Sequence, residues 1–180
     1  MKSLSARAEP LISIIMNCYN GERYLDEAVV SVMRQTYSNW ELVFLDNLST
    51  DESAKRIANF EDRRIKYFKA DQHTSLGNAR AKAWNHATGD YICILDTDDL
   101  FFPEKLEKQL QIFEDDSEVG LVFSNTEFFS DRYSKLLYAA VPPIELGVSY
   151  LINNYYISLE SIMISKKIAD INNIQFTGEY

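Results

Sequence analysis

Asp96, Asp98 and Asp99 put three carboxylates within four positions of one another. Like charges that close repel, and each carboxyl is pushed towards its neutral form unless a cation or hydrogen-bond donors compensate. Hard oxygen donors in such a cluster suit Mg2+ or Mn2+. The cluster follows Tyr91-Ile92-Cys93-Ile94-Leu95, a short apolar run of strand character. Ligands of open α/β sheets gather at the carboxyl ends of strands. The plain alternative is a solvated Asp-rich turn, so the reading depends on what else reaches the same place.

Two further apolar runs end in polar groups. Leu11 to Met16 runs into Asn17, Tyr19, Asn20 and Gly21, and Trp40 to Leu45 runs into Asp46 and Asn47. If the three runs are neighbouring strands of a doubly wound sheet, their ends share one rim. There Tyr19 could stack on a flat base, Asp46 or Asn47 could hydrogen-bond its edge, and the Asp cluster could hold a metal on its phosphates. Arg80, in the first turn of a predicted helix, could reach a phosphate or a base; the alternative is a solvated helix charge. Neither a P-loop nor a Gly-x-Gly-x-x-Gly turn is present. His73 and His86 show no metal-ligand spacing, and no nucleophile elbow is found.

The elements that must position these groups alternate. A helix is expected from Tyr24 to Gln35, because Tyr24, Leu25, Ala28, Val29, Val32 and Met33 recur at three and four residue spacing. Ser49 and Glu52 have the spacing of a capping box, opening a helix through Phe60. Arg64 to Phe68 reads as a third strand, and Asn78 to Ala87 as a helix closed by Gly89. Pro103 opens another helix with the stripe Leu106, Leu110 and Phe113, followed by a strand from Val119 to Ser124. Strand and helix in alternation imply an α/β fold with a mostly parallel sheet flanked by helices. Beyond residue 126 the pattern weakens: Phe128 to Tyr138 reads as extended or hairpin, Gly147 to Asn154 as a short helix, and Ser161 to Ser165 as a strand.

The chain has 180 residues and a formal net charge of −9. A size like this suits one domain with a sizeable core, or most of a larger one. The acidic balance argues against nucleic acid, whose phosphates demand a basic face, and against electrostatic docking on an anionic membrane. Cys18 and Cys93, the two cysteines, both lie in strand-like runs and read as buried free thiols rather than a disulfide framework. No run reaches the length of a membrane span, and residues 1–9 read as a polar tail. A cytoplasmic location is expected.

Ordered motifs then carry a resemblance. Pro10 to Glu22, with Asn17, Tyr19, Asn20 and Gly21, followed by Ser31 to Tyr37, resembles the opening of the family-2 inverting glycosyltransferases. Leu45-Asp46-Asn47-Leu48-Ser49-Thr50-Asp51 is similar to that family's Val-Asp-Asp-Gly-Ser-Thr-Asp signature. Ala79-Arg80 is similar to its Ala-Arg-Asn segment, and Gly89 to Asp99 to its Gly-Glu-Tyr strand and Asp-x-Asp-Asp motif.

The resemblance implies a Rossmann-like nucleotide-diphospho-sugar transferase fold, the glycosyltransferase A type. It implies a nucleotide-sugar site of Asn17, Tyr19, Asn20, Glu22, Asp46, Asn47, Arg80, Asp96 and Thr97. It also implies a divalent cation, Mn2+ or Mg2+, on Asp96, Asp98 and Asp99. The expected reaction is inverting transfer of a sugar from a nucleoside-diphosphate sugar, a UDP-sugar first, to a carbohydrate or lipid-linked acceptor in cell-surface polysaccharide or glycolipid synthesis. Residues 10–126 are then the nucleotide-sugar-binding domain and residues 127–180 the incomplete start of an acceptor-side subdomain. Peripheral association with the inner membrane face stays open.

Two departures stand out: Asn47 replaces the family's second aspartate, and Leu48 its glycine. Gln175 to Tyr180 is similar to the approach to the family's acidic base motif, so the general base is expected beyond Tyr180 and the chain reads as a truncated catalytic domain. Two alternatives are a nucleotide-sugar-binding module without turnover and another nucleotide-handling α/β protein such as a nucleotidyltransferase.

Overall fold

The structure, a computed structural model, describes residues 9–130, 135–140, 157–174 and 176. Four parallel strands form one side of the main sheet: β1 (Ile12–Cys18), β2 (Trp40–Asp46), β3 (Ile65–Lys69) and β4 (Tyr91–Ile94). They are followed by β5 (Leu121–Phe123), the pair β6 (Thr126–Ser130) and β7 (Lys135–Ala140), and β8 (Ile162–Ser165). The helices are α1 (Leu25–Met33), α2 (Ser53–Ala58), α3 (Leu76–His86), α4 (Lys105–Asp115) and α5 (Lys166–Ile171).

The six-stranded sheet has the order β3-β2-β1-β4-β8-β5, and β6 pairs with β7 in a separate two-stranded sheet. β8 lies antiparallel to both β4 and β5. The sheet is therefore parallel through its first four strands, and the late strand read from Ser161 to Ser165 returns to insert between β4 and the edge strand β5. Within the Phe128 to Tyr138 region, read as extended or hairpin, the described strands β6 and β7 pair antiparallel, with a register shift between Phe128 and Phe129. The short helix expected from Gly147 to Asn154 lies outside the described residues.

Strand alternation sorts the core into two faces. Ile12, Ile14, Met16, Leu42, Phe44 and Cys93 join side chains of α1, α2 and α4 in one cluster. Ile15, Val43, Leu45, Ile92 and Ile94 join Ala79 and Ala83 of α3 and Ala169 of α5 in the other. Both faces of the central strands are thus covered, as a parallel sheet requires. The alanines of α3, four residues apart, let that helix pack closely over β1 and β2. Cys18 and Cys93 are free and buried, as their apolar surroundings implied.

Two local expectations are corrected. The Ser49–Glu52 box does not form at the start of α2, where Asp51 Oδ1 accepts the Ser53 N–H at 3.0 Å; Ser49 Oγ instead accepts the Asn20 N–H at 3.1 Å, which makes it a tie between loops. Gly89 does not close α3 with a left-handed residue, since no glycine among the described residues has positive φ. It is small because β1 runs against it: an added Cβ would sit 2.6 Å from Leu11 O and 2.7 Å from Ser13 N. Nearby, Glu41 is buried in β2 and binds Ser13 Oγ, Lys66 Nζ and the Thr88 N–H and hydroxyl, tying β1, β2, β3 and the approach to β4 together.

Candidate functional site

β1 lies between β2 and β4, in register from Ile12↔Trp40 to Cys18↔Asp46 on one side and from Ile12↔Tyr91 on the other. The carboxyl ends of the three strands therefore form one rim. Leucine 95 extends the β4 run, with its N–H donating to Ile15 O at 3.1 Å, and the acidic turn follows.

Hydrogen bonds stitch the loops after β1 and β2 together. The Asn47 N–H donates to Cys18 O at 2.8 Å, the Thr50 N–H to Asn20 Oδ1 at 2.8 Å, and the Gly21 N–H to Ser53 Oγ at 3.0 Å. The Glu22 N–H donates to Asp51 Oδ2 at 3.0 Å, and Glu22 Oε2 accepts the Glu52 N–H at 2.8 Å. Asn20 Oδ1 and Glu22 Oε2 thus each accept a hydrogen bond inside the protein, fastening one loop to the other. Asn20 and Leu48 hold φ of 56° and 64°. Those are left-handed conformations that cost a side chain energy, so Leu48 stands where glycine would be unstrained. Gly21 has no room for a side chain, because a Cβ there would meet Thr97 Oγ1 at 2.8 Å. The β1 loop is thereby pressed against the acidic turn.

Asp46 is 1% exposed and both its oxygens are engaged: Oδ1 accepts the Ser49 N–H at 2.7 Å and Oδ2 the Tyr67 hydroxyl at 2.9 Å. Asn47 is likewise turned inward onto Thr74. Tyr19 stays 51% exposed, with its ring centroid 4.2 Å from that of His73. Asn17, on β1, is half-buried.

The carboxylates gather at the end of β4. Arg80 of α3 donates through Nη2 to both oxygens of Asp96, at 2.8 and 2.6 Å. Arg80 Nε is a buried donor with no partner. One oxygen each from Asp96, Asp99 and Glu160 lie within 4.8 Å of one another. Oxygens around one divalent cation, each about 2.0–2.6 Å from it, are spaced this way, so the donor set fits a hard cation. Burial first, then the charges of Glu160, Asp98 and Asp96, push the Asp99 carboxyl up to about 7. Those carboxylates crowd one another with Arg80 as the guanidinium paired into the cluster.

Glu160 was missed in the sequence. It lies more than sixty positions from the acidic turn, and nothing local marks it out. It arrives because β8 inserts beside β4 and because Gln109 of α4 donates to Ser161 O at 2.7 Å. Asp98 is exposed and stands outside this set of three oxygens. It borders a cleft of about 1470 Å3 that runs from the acidic turn past Phe102 and Lys108 to Phe128 and Glu160. Among the described residues, no helix is long and apolar enough to cross a membrane.

The model of the family described as glycosyl transferase family 2 matches residues 13–170. The chain is similar to the Escherichia coli UDP-Glc:alpha-D-GlcNAc-diphosphoundecaprenol beta-1,3-glucosyltransferase WfgD, 30% identical over 156 residues, which is 87% of this chain and 60% of that protein. Among solved structures, S. aureus TarS 1–349 in complex with UDP-GlcNAc superposes with a TM-score of 0.77 at 21% identity, covering 92% of this chain and 48% of that one. The mannosyltransferase PcManGT from Pyrobaculum calidifontis, in complex with GDP-Man and Mn2+, superposes with a TM-score of 0.71 at 17% identity, covering 95% and 48%. The chain thus spans 60% or less of the length of these proteins, and the structural likeness shows a shared nucleotide-diphospho-sugar-transferase fold.

Proposed function

We propose, from the premise that this chain belongs to glycosyl transferase family 2, that it carries the donor side of an enzyme moving a sugar from a nucleoside-diphosphate sugar to an acceptor hydroxyl. The observation that carries the reading is the meeting of Asp96, Asp99 and Glu160 beside the Arg80–Asp96 pair at the strand-end rim. Family membership favours sugar transfer over nucleotidyl transfer. A uridine nucleotide is the first candidate, because WfgD acts on UDP-Glc and TarS holds UDP-GlcNAc. The lipid-diphosphate acceptor in WfgD's name supports a role in cell-surface polysaccharide or glycolipid synthesis, and a cytoplasmic location belongs to the same reading.

In this reading the base lies against Tyr19 and the diphosphate reaches towards the acidic turn. Asp96 and Asp99, with Glu160 and Asp98 beside them, would hold Mn2+ or Mg2+. Such a cation supplies positive charge where the leaving diphosphate gains negative charge. Arg80 fixes the Asp96 carboxylate in one orientation and offsets part of the cluster's charge. The β1 loop, held by Gly21 against Thr97, keeps the base side and the diphosphate side at a constant separation. Residues 10–126 form the donor half, the acceptor side begins at residue 127, and β8 and α5 return to complete the donor sheet. An acceptor hydroxyl approaching through the cleft attacks the anomeric carbon from the face opposite the diphosphate. The new C–O bond forms as the bond to phosphate breaks, the configuration inverts, and the hydroxyl proton passes to a carboxylate base.

Calorimetric titration of UDP into the chain, with Mn2+ and then with excess chelator, tests this. Metal-dependent binding is expected. Silence of UDP, GDP and TDP under both conditions would overturn the nucleotide site.

A further inference from the structure

We propose that Asn47 is a positioning residue for nucleotide binding. Its carboxamide holds the His73–Thr74 backbone in place, and His73 so held forms, with Tyr19, the wall against which a base lies. The proposal rests on the reading of the rim as a nucleotide site.

The Asn47 side chain is 4% exposed. Its Nδ2 donates to Thr74 O at 2.8 Å, and its Oδ1 accepts the Thr74 N–H at 3.1 Å and the Thr74 hydroxyl at 3.3 Å. The carboxamide therefore pairs with both the N–H and the C=O of one residue, 27 positions away, as a neighbouring strand would. One N–H remains on a buried group, which leaves little with which to read a base edge. The backbone carbonyl of Asn47 faces His73 Nδ1 at 3.0 Å. A carbonyl only accepts, so Nδ1 carries the proton and the ring is held by this bond. The His73 ring in turn lies against the Tyr19 ring.

Asn47 thus grips both members of the His73–Thr74 pair from the end of β2, the strand next to β1. The pairing also explains the amide: a carboxylate at this position would set an oxygen against Thr74 O and lose the donor. Direct reading of the base by Asn47 would require the clamp to open.

The test compares wild type, Asn47→Asp, Asn47→Ala, His73→Ala and the Asn47→Ala/His73→Ala double variant. UDP, GDP and TDP are titrated with Mn2+, and amide exchange is followed over residues 72–76. Both Asn47 variants should speed exchange at Thr74 in the free protein and weaken all three nucleotides alike, by about tenfold. His73→Ala, at an exposed position, should weaken them comparably, and the double variant should lose no more than the weaker-binding single variant, because both act through one wall. Additive losses would overturn the inference while leaving the nucleotide site standing. So would an Asn47→Asp variant that changes the preference among bases with Thr74 exchange unaltered, since Asn47 would then read the base. Wild type that binds no nucleotide would refute the site and this inference together.

Discussion

Asp99 should make cation binding depend on pH in a range where ordinary carboxylates no longer titrate. Burial first, and then Glu160, Asp98 and Asp96, raise its carboxyl from the usual 3.8 to about 7. A raised carboxyl favours the neutral form in the folded, metal-free chain. That contribution to stability is full below about pH 4 and is lost as pH rises through about 7. Each pH unit of that interval is worth about 1.4 kcal/mol, so ionising Asp99 costs the fold at most about 4 kcal/mol. A cation must displace this proton to use the carboxylate. Ionised Asp99 makes up about 3% of the chains at about pH 5.5 and about three quarters at about pH 7.5, so apparent Mn2+ affinity should rise about 25-fold between them. Calorimetry in two buffers of different ionisation enthalpy reads the released proton directly. Asp99→Asn should abolish the pH dependence, weaken Mn2+ at about pH 7.5, and stabilise the metal-free chain at about pH 8 by roughly 2–4 kcal/mol. An Mn2+ affinity that stays flat across this range in the wild type would refute the reasoning.

Glu160→Gln should weaken Mn2+ about tenfold or more and move the pH midpoint down, because it removes the largest of the charges acting on Asp99; Asp98→Ala, at an exposed position, should weaken Mn2+ less. Equal effects would mean that Asp98 and Glu160 contribute alike. Gly21→Ala would place a Cβ 2.8 Å from Thr97 Oγ1 and 3.0 Å from Cys18 Sγ, costing about 1–3 kcal/mol of stability; a thermal midpoint equal to wild type would contradict this packing. Burial alone would raise the Glu41 carboxyl, but its bonds to Lys66, Ser13 and Thr88 outweigh it and hold the group below its ordinary 4.5. Its stabilisation is therefore present above that value and lost as pH falls through the lowered one. Glu41→Gln should cost roughly 2–4 kcal/mol in urea unfolding at neutral pH, with the gap to wild type closing in acid.

The parallel half of the sheet could be read directly, because both faces of β1, β2 and β4 are buried and such strands appear as continuous apolar runs. β8 shows where that reading ends. Ile162-Met163-Ile164 is recognisable as a strand, but a run buried on both faces says nothing about its direction or its neighbours. Only the fold shows that it enters antiparallel between β4 and β5. Ser49 and Glu52 failed for a different reason. Their spacing suits a cap, but the Asn20 N–H, brought in by β1, competes for the same hydroxyl, and a contact 29 residues apart in sequence outweighs the local pattern.

The rim was legible as a set of positions and less so as a set of roles. Asp46, Asn47, Asn20 and Glu22 all lie at the strand ends, as their place in the motifs implied. Yet each points at least one side-chain oxygen at a backbone or side-chain partner within the protein. Polar type at a strand end identifies a group that must be satisfied, and it does not distinguish a ligand from a loop tie. The acidic turn differs because its charges are not absorbed by such ties: Arg80 pairs with Asp96, while Asp99 is driven towards neutrality by the carboxylates around it. Glu160, brought to that place from a distant segment, adds a like charge beside Asp99 that the Ser158 hydroxyl and the Lys105 ammonium offset in part. The arrangement is consistent once a cation belongs there, and that consistency supports the proposal that the turn, rather than the loops tied beside it, is the centre of the site.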